Sequence, residues 1–488
     1  MSDITFLWHD YETFGVNPRR DRPAQFAAIR TDAALNEIEA PVMIYCRPAD
    51  DYLPDPQSCL LTGIVPQTCL ELGVPETEFA GVIEAAFARP GTIGVGYNTI
   101  RFDDEVTRFL FWRNLVDPYA REWQNGCGRW DLLDVVRLAY ALRPEGIEWP
   151  NKPDGKPSFR LEDLTRANGI AHEAAHDALS DVRATIALAR LVQQKNPKLF
   201  EFALGLRAKD RVAHELGLPT TPQAARPFLH VSGMFPAEQG CLAVMWPLAT
   251  HPTNRNELLA WDLSQDPEAL AGMTVEDIRQ RLFTRSADLP DGVTRLPIKS
   301  VHLNKSPMVV ANLRTLRPEM AERWKIDLSV AARHAQAAAA LPDMTALWQE
   351  VFKRPAGETP DVDEDLYGGF VGNADRRKLE QLRAMSPEKL ANARSAFDDA
   401  RLEEILFRFR ARNYPETLDE AEAERWHAHR AARLFEGAGH ARTVDEYLAS
   451  LDVLGEQAGE SDDGPDERTE TILSALYDYA EAVVPERE

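Results

Sequence analysis

No apolar stretch in this 488-residue chain approaches the ~18 residues that a membrane-crossing helix needs. The opening residues, Met1 to Thr5, lack the charged and then apolar order of a secretion signal. A cytosolic protein without a membrane partner is the expectation. Cysteine is scarce: Cys46, Cys59, Cys69, Cys127 and Cys241 are an odd number without any CxxC spacing. Buried reduced thiols are therefore expected, rather than a disulfide framework or a zinc site. There is no Gly-x4-Gly-Lys-Ser/Thr loop, which excludes a P-loop motor, and there is no internal repeat. Positive charge is in short supply, with 55 Lys and Arg against 78 Asp and Glu, a net of −23. Such a balance repels polyanions, because Lys and Arg supply most nucleic-acid affinity. A nucleic-acid function thus requires a locally basic groove with the acid segregated elsewhere. Part of that acid lies in 456–470, which reads as a solvated acidic loop.

A chain of this length needs more than one core. The first third alternates strand and helix signals. Residues 4–8, 25–30, 41–46 and 91–97 read as strands, and 75–88, 103–115, 130–142, 160–168 and 178–194 as helices. Strands first, then a strand enclosed by helices, imply a mixed sheet with helices on its faces. From 226 to 310 the chain is rich in Pro, β-branched and aromatic residues. Strands are expected there at 228–232, 241–246, 257–262 and 298–303, as a small β-barrel. From Ser329 the chain turns helical and, after a loop at 357–365, remains so.

Three local patterns carry chemistry. In His9-Asp10-Tyr11-Glu12-Thr13, side-chain alternation puts Asp10 and Glu12 on one side of a strand. Two such carboxylates suit Mg²⁺, which takes few protein ligands and keeps water and substrate phosphates. Two surface acids on an edge strand would read the same. However, acids placed directly after an apolar run are costly unless paired or metal-bound. In Gly96 to Glu105 a strand ends near Asn98 and a helix opens at Asp103. Acids at a helix N-terminus are also ordinary caps, and periodicity does not separate Asp103 from Asp104. In His176 to Asp181, a histidine in the entering loop and an aspartate one turn into the helix can converge. Histidine has the pKa of a general base near neutrality, though a surface histidine would look alike.

Together, the Asp-x-Glu, the junction Asp near residue 100 and the His-x4-Asp resemble the DEDDh exonucleases. The segments HisAspTyrGluThrPheGly (9–15), AspArgProAlaGlnPheAlaAlaIleArgThrAsp (21–32), ArgPheAspAspGluValThrArg (101–108) and TrpAspLeuLeuAspVal (130–135) resemble bacterial exonuclease I. So do AlaLeuArgProGluGly (141–146), HisValSerGlyMetPhe (230–235), AsnLeuArgThrLeuArgPro (312–318) and ArgAlaArgAsnTyrPro (410–415). The likeness spans nearly the whole chain. It implies an α/β fold with an RNase H-like mixed-sheet exonuclease domain over 1–195. An SH3-like β-barrel domain with helical flanks over 196–350 and a C-terminal helical domain over 351–488 follow.

The resemblance also implies that Asp10, Glu12, Asp103 and Asp181 bind two Mg²⁺ ions, with Mn²⁺ as a possible substitute. His176 would take the proton of the attacking water, and Asp103 rather than Asp104 aligns with the family motif. Glu12, Thr13, Asn98, Phe102 and Arg160 would touch the substrate, single-stranded DNA cut 3′→5′ to 5′-mononucleotides during repair and recombination. The arginines of Phe407 to Asn413 alternate with aromatics and are further candidate phosphate contacts, with arginines snorkelling outward from a buried Phe407 as the alternative. Arg143 and Arg317 match positions that hold the acidic C-terminal tail of single-stranded DNA-binding protein, and a monomer is expected.

Three rival readings are weighed on the residues. A DEDDh exoribonuclease shares the chemistry, but such members are single domains and this chain carries ~300 further residues. A non-enzymatic single-stranded DNA or partner-binding adaptor would not need a filled carboxylate set. A His-Asp phosphohydrolase is suggested by His9-Asp10 and His176-Asp177, yet that chemistry belongs to an all-helical fold and His9-Asp10 lies on a strand.

Overall fold

The computed structural model describes residues 4–172, 177–221, 224–353, 357, 359–393, 395–460 and 466–485. Five strands build the first sheet: β1 (Thr5–Thr13), β2 (Pro23–Thr31), β3 (Val42–Tyr45), β4 (Thr92–Gly96) and β5 (Gly128–Asp131). Their order is β3-β2-β1-β4-β5. β2 lies antiparallel between β1 and β3, whereas β1, β4 and β5 run parallel, so the sheet is mixed as expected. Phe6 and Trp8 of β1 face one core with Ile93, Val95, Leu138 and Val182. The helices Leu132–Leu142 and Ala178–Lys195 cover that face. Leu7 and Tyr11 face the other core, under the helices Glu76–Phe87 and Asp103–Arg113. The period-2 alternation of β1 thus sorts its side chains between two helical layers.

One expectation here needs correction. Residues 130–142 read as a single helix, but Trp130 lies in β5 and the helix starts at Leu132, capped by the Asp131 carboxylate. Four residues with a glycine and an arginine among them carry no visible alternation.

The second sheet is antiparallel throughout, with β6 (Phe228–Val231), β7 (Leu242–Thr250), β8 (Glu257–Asp262), β9 (Ile298–His302) and β10 (Met308–Val310) in the order β10-β6-β7-β8-β9. Four of these strands follow from the β-branched and aromatic runs; the three residues of β10 were too few to read. Pro247, which has no N–H to donate, coincides with a register shift in β7. The core of this sheet is continuous with that of the first, joining Phe228, Trp246 and Trp261 to Trp130 and Leu138.

The remaining helices pack against the first unit in two places. Leu366, Leu402 and Phe409 close over Phe109 and Trp112, while Tyr447, Leu451 and Leu476 close over Phe14, Cys59 and Cys69. The acidic stretch 456–470 is not a loop at its ends. Its first residues finish the helix Val444–Gly459, and its last ones open the helix Glu467–Val483, capped by Asp466; 461–465 lie outside the described residues. Acid in a first helical turn is favoured by the helix dipole, which composition alone does not convey.

A buried ion network ties these helices to the first unit. Asp51, 0% exposed, lies 2.8 Å from Arg412, 3.5 Å from His429 and 3.6 Å from Arg433. Arg412 also meets Asp363 at 2.5 Å, and Arg22 and Arg408 approach the same carboxylate at 3.4 Å. Burial alone would raise the Asp51 pKa, but the surrounding cations hold it well below the usual carboxylate range. In the segment Phe407 to Asn413, Phe407 is buried, as the alternative expected, but both expectations for the arginines are corrected. Its arginines neither face a DNA path nor snorkel outward. Arg408 binds Asp361 at 2.7 Å, Arg410 binds Glu422 at 2.7 Å, and all three guanidiniums are buried. The acids that hold them come from distant chain segments, so the run itself could not reveal it.

Removing one partner of a buried pair leaves an uncompensated charge, at a cost of about 3–5 kcal/mol. Asp51→Ala should therefore lower the free energy of unfolding, measured by urea titration, by about 3–5 kcal/mol. A shift worth under about 1 kcal/mol would mean the network contributes nothing beyond packing.

Candidate active site

The site forms where β1 outruns its neighbour. β1 pairs with β4 from Thr5 to Trp8 and with β2 as far as Thr13. Past Trp8 its β4 side is open, at the carboxyl ends of two parallel strands, where α/β sheets place their ligands. Asp10 and Glu12 stand in this corner on the same face as Phe6 and Trp8. The helix Ala178–Lys195 packs over that face and brings in Asp181 from its first turn. Ligand oxygens of Asp10, Glu12 and Asp181 lie within 4.8 Å of one another.

Asp103 arrives from the opposite layer. The chain leaving β4 turns sharply through Asn98, whose φ is +69°, and the Asn98 and Ile100 N–H groups donate to the Asp131 carboxylate at 2.9 and 3.1 Å. Gly96 is required in this turn: a Cβ there would come within 2.6 Å of the His9 carbonyl oxygen. The helix then opens at Asp103, whose Oδ1 accepts the Tyr11 N–H at 3.1 Å. That N–H belongs to the part of β1 that β4 no longer covers.

Asp103 and Asp104 are now distinguished by their partners. Asp104, 1% exposed, is held by Arg121 at 2.5 Å and Arg129 at 3.1 Å. Burial opposes its ionisation, but the two arginines keep its pKa below the ordinary value. Among the described residues no arginine or lysine is paired with Asp103 in this way. Burial, with a contribution from Asp104, pushes its pKa up to about 8. Burial and then the charges of Asp181 and Asp103 push Glu12 up to about 8 as well. Asp10 is raised well above the ordinary carboxylate value by burial, Asp103, Glu12 and Asp181. Carboxylates crowded and desolvated in this way fit a hard divalent cation with oxygen ligands, which relieves their mutual repulsion.

The other expected residues lie in distinct surroundings. Thr13 ends β1 with its hydroxyl donating to the Gly15 carbonyl at 2.7 Å. Phe102 precedes the Asp103 helix and packs partly against the second core. Arg160 caps the helix Leu161–Ala167, with its side chain 71% exposed and 3.8 Å from Glu162. The segment before it is held near the site by the Tyr97 hydroxyl, which donates to the Phe159 carbonyl at 2.7 Å. Asp177 caps the helix Ala178–Lys195 through the Ser180 N–H, a structural use of the aspartate that a His-Asp phosphohydrolase would need as a ligand. His176 lies outside the described residues.

Arg143 and Arg317 lie near each other but away from this corner. Arg143 donates to the Thr315 carbonyl at 3.0 Å and lines a cavity of about 510 Å³ with Lys195, Lys198, Leu142, Phe202 and Val310. Arg317 pairs with Glu145 and with Glu319 and does not line that cavity.

Several features escaped the sequence. Trp123, Tyr367 and Phe370 are 64%, 46% and 87% exposed. Tyr119 stands 6.3 Å from Phe370, and Arg108 and Arg19 lie over Tyr119 and Tyr367. The only sequence signal for Trp123 is an aromatic in a polar, aperiodic stretch. His172 was also unread, because nothing in its spacing marks it.

Comparison with known proteins covers nearly the whole chain. A family model described as "Exonuclease" matches residues 7–189, "Exonuclease I SH3-like domain" matches 207–354, and "Exonuclease I C-terminal domain" matches 360–483. The exodeoxyribonuclease I of Escherichia coli K12 is 45% identical over 482 residues, 98% of each chain. A moderately thermophilic exonuclease I from Methylocaldum szegediense superposes with a TM-score of 0.92 at 48% identity, covering 98% of this chain and 99% of that one. The zinc-ion-bound form of an E. coli exonuclease I complex with single-stranded DNA does so with 0.91 at 43% identity, covering 99% and 100%.

The raised carboxylates carry a pH signature. In the folded metal-free protein Glu12 and Asp103 retain protons up to about 8, well above their unfolded values. Their contribution to stability is thus full below the unfolded pKa and is lost as pH rises through about 8. The Tm in chelator should fall between pH 5 and 8.5, and added Mg²⁺ should restore more of it at the higher pH. A Mg²⁺ effect independent of pH, or one unchanged in Asp10→Asn, would contradict this origin.

Proposed function

The chain belongs to the exonuclease I family, and from that premise we propose that it hydrolyses single-stranded DNA from the 3′ end, releasing 5′-mononucleotides in DNA repair and recombination. The observation that carries this reading is the convergence of Asp10, Glu12 and Asp181 within 4.8 Å, with Asp103 fixed beside them on the Tyr11 N–H.

Asp10, Glu12, Asp103 and Asp181 are the residues that would hold two Mg²⁺ ions, with Mn²⁺ as a substitute. When bound, such a pair stabilises both the attacking and the leaving oxygen of an in-line displacement at phosphorus. His176 accepts a proton from the attacking water as its oxygen bonds to phosphorus. The bond to the 3′ oxygen of the penultimate nucleotide breaks, and its electron pair stays on that oxygen. Arg160, exposed at a helix cap, reaches toward a substrate phosphate, and Thr13, Asn98 and Phe102 line the nucleotide's place beside Glu12. The exposed Trp123, Tyr367 and Phe370 supply stacking faces for unpaired bases, each worth about 1–3 kcal/mol. A relative of this fold is described in complex with single-stranded DNA, which supports that substrate over RNA. No described helix is long and apolar enough to cross a membrane. The reading extends to a cytoplasmic monomer, with Cys46, Cys59, Cys69, Cys127 and Cys241 as free thiols suited to a reducing compartment.

The same reading includes a partner. The cavity lined by Arg143, Lys195, Lys198 and apolar side chains fits an acidic peptide, such as the C-terminal tail of single-stranded DNA-binding protein. Arg317, turned to Glu145 and Glu319, would join only by exchanging those acids for the peptide's.

The deciding assay is digestion of 5′-labelled single-stranded DNA with Mg²⁺, beside duplex DNA and RNA. A ladder shortening from the 3′ end is expected, absent on duplex and in Asp10→Ala. His176→Ala should cut turnover severalfold or more with DNA binding intact. Activity on RNA alone would replace this reading with the exoribonuclease one, and no metal-dependent cleavage would leave an adaptor. For the partner, fluorescence anisotropy of a labelled acidic tail peptide should show at least tenfold weaker binding to Arg143→Ala and unchanged binding to Asp10→Ala. Equal affinities for wild type and Arg143→Ala would remove the cavity from consideration.

A further inference from the structure

We propose that His172 is a positioning residue for the metal site, acting through Asp181. Its Nε2 lies 2.5 Å from Asp181 Oδ1, and its Nδ1 lies 3.3 Å from the Thr165 hydroxyl. The ring is 7% exposed, and Thr165 is fully buried with its hydroxyl donating to the Leu161 carbonyl at 2.8 Å. The imidazole is thus anchored at one end to the helix Leu161–Ala167 and grips, at the other, a carboxylate on the helix Ala178–Lys195. These two helices pack together, so the anchor is part of the rigid frame.

A carboxylate rotates about its terminal bond unless something fixes it. Asp10 and Glu12 sit on a strand that is paired on one side, and Asp103 is fixed by the Tyr11 N–H. Asp181 comes from the first turn of the helix Ala178–Lys195. A carboxylate has two oxygens, and one engaged by His172 sets the direction of the other. Carboxylate ligands held by hydrogen bonds from outside the coordination sphere bind metal more tightly, and losing such a partner typically costs 10–100-fold in affinity. The helix that anchors His172 is also the helix that Arg160 caps, so the proposed phosphate contact and the Asp181 orientation share one support. This inference rests on the metal-dependent exonuclease reading.

The test is a Mn²⁺ titration of the full-length, chelator-stripped protein without substrate, followed by electron paramagnetic resonance. His172→Ala should weaken Mn²⁺ binding about 10-fold or more, while His172→Gln, which keeps a donor near the Nε2 position, should stay within about threefold of wild type. Circular dichroism should show both variants folded. Turnover of His172→Ala should recover at raised Mg²⁺. Should His172→Ala fail to fold, Thr165→Val releases the ring from its other anchor and should weaken Mn²⁺ binding severalfold. Wild-type affinity in folded His172→Ala, or equal losses in the Ala and Gln variants, would overturn the positioning role. If Asp181→Asn also left Mn²⁺ binding unchanged, the metal reading itself would fall, and this inference with it.

Discussion

Carboxylates driven into one buried corner repel one another, and much of this structure can be understood as the arrangement that tolerates it. Asp10, Glu12 and Asp181 gather at the carboxyl end of β1, with Asp103 joined to them through Tyr11. The pKa values of Asp10, Glu12 and Asp103 rise because burial and neighbouring charge act in the same direction. Nothing in the β1 pairing requires acid there. The corner exists because β1 runs past β4, leaving one side of the strand open and one N–H free for Asp103. A site of this kind is poised to take up positive charge, which is what a phosphodiester-cleaving metal site needs.

The surrounding arginines do a different task. Asp104, one residue from the corner, is neutralised by Arg121 and Arg129, so the two adjacent acids at one helix start have opposite fates. Farther out, Asp51 and Asp363 absorb Arg22, Arg408, Arg412 and Arg433 where the C-terminal helices meet the first unit. Such pairs need not add stability over an apolar core, but each leaves a costly charge if broken. They also withdraw cations from any DNA surface. With so many arginines paired internally, Trp123, Tyr367, Phe370 and Arg160 are among the side chains left exposed.

The shared cores add a geometric consequence. The first core runs unbroken into the β6–β10 sheet, and two others join the C-terminal helices to the first unit. Three segments that differ in composition are therefore locked around one corner. Tyr367 illustrates this: it belongs to the C-terminal part, yet its hydroxyl donates to Glu105 at 2.5 Å, two residues from Asp103. A strand of DNA lying beside these aromatics would rest on surfaces contributed by separate stretches of the chain.

By itself the sequence determined the alternation that puts Asp10 and Glu12 on one face, most of the strands and helices, and a helix start at Asp103. These are local properties, fixed by side-chain period, capping and turn chemistry within a few residues. The tertiary structure alone decided what depends on contacts across long separations. It supplied the physical reason for the family motif's choice of Asp103, since Asp104 is held by two arginines and helical periodicity cannot separate neighbouring residues. It turned Arg408, Arg410 and Arg412 inward, because their acidic partners lie elsewhere in the chain. It placed His172 against Asp181, nine residues along the chain. It also cut β5 out of an apparent helix, since a four-residue strand is recognised by its neighbour in the sheet and not by its own pattern. Charge pairing and strand pairing are set by proximity in space, and a linear pattern records only proximity along the chain.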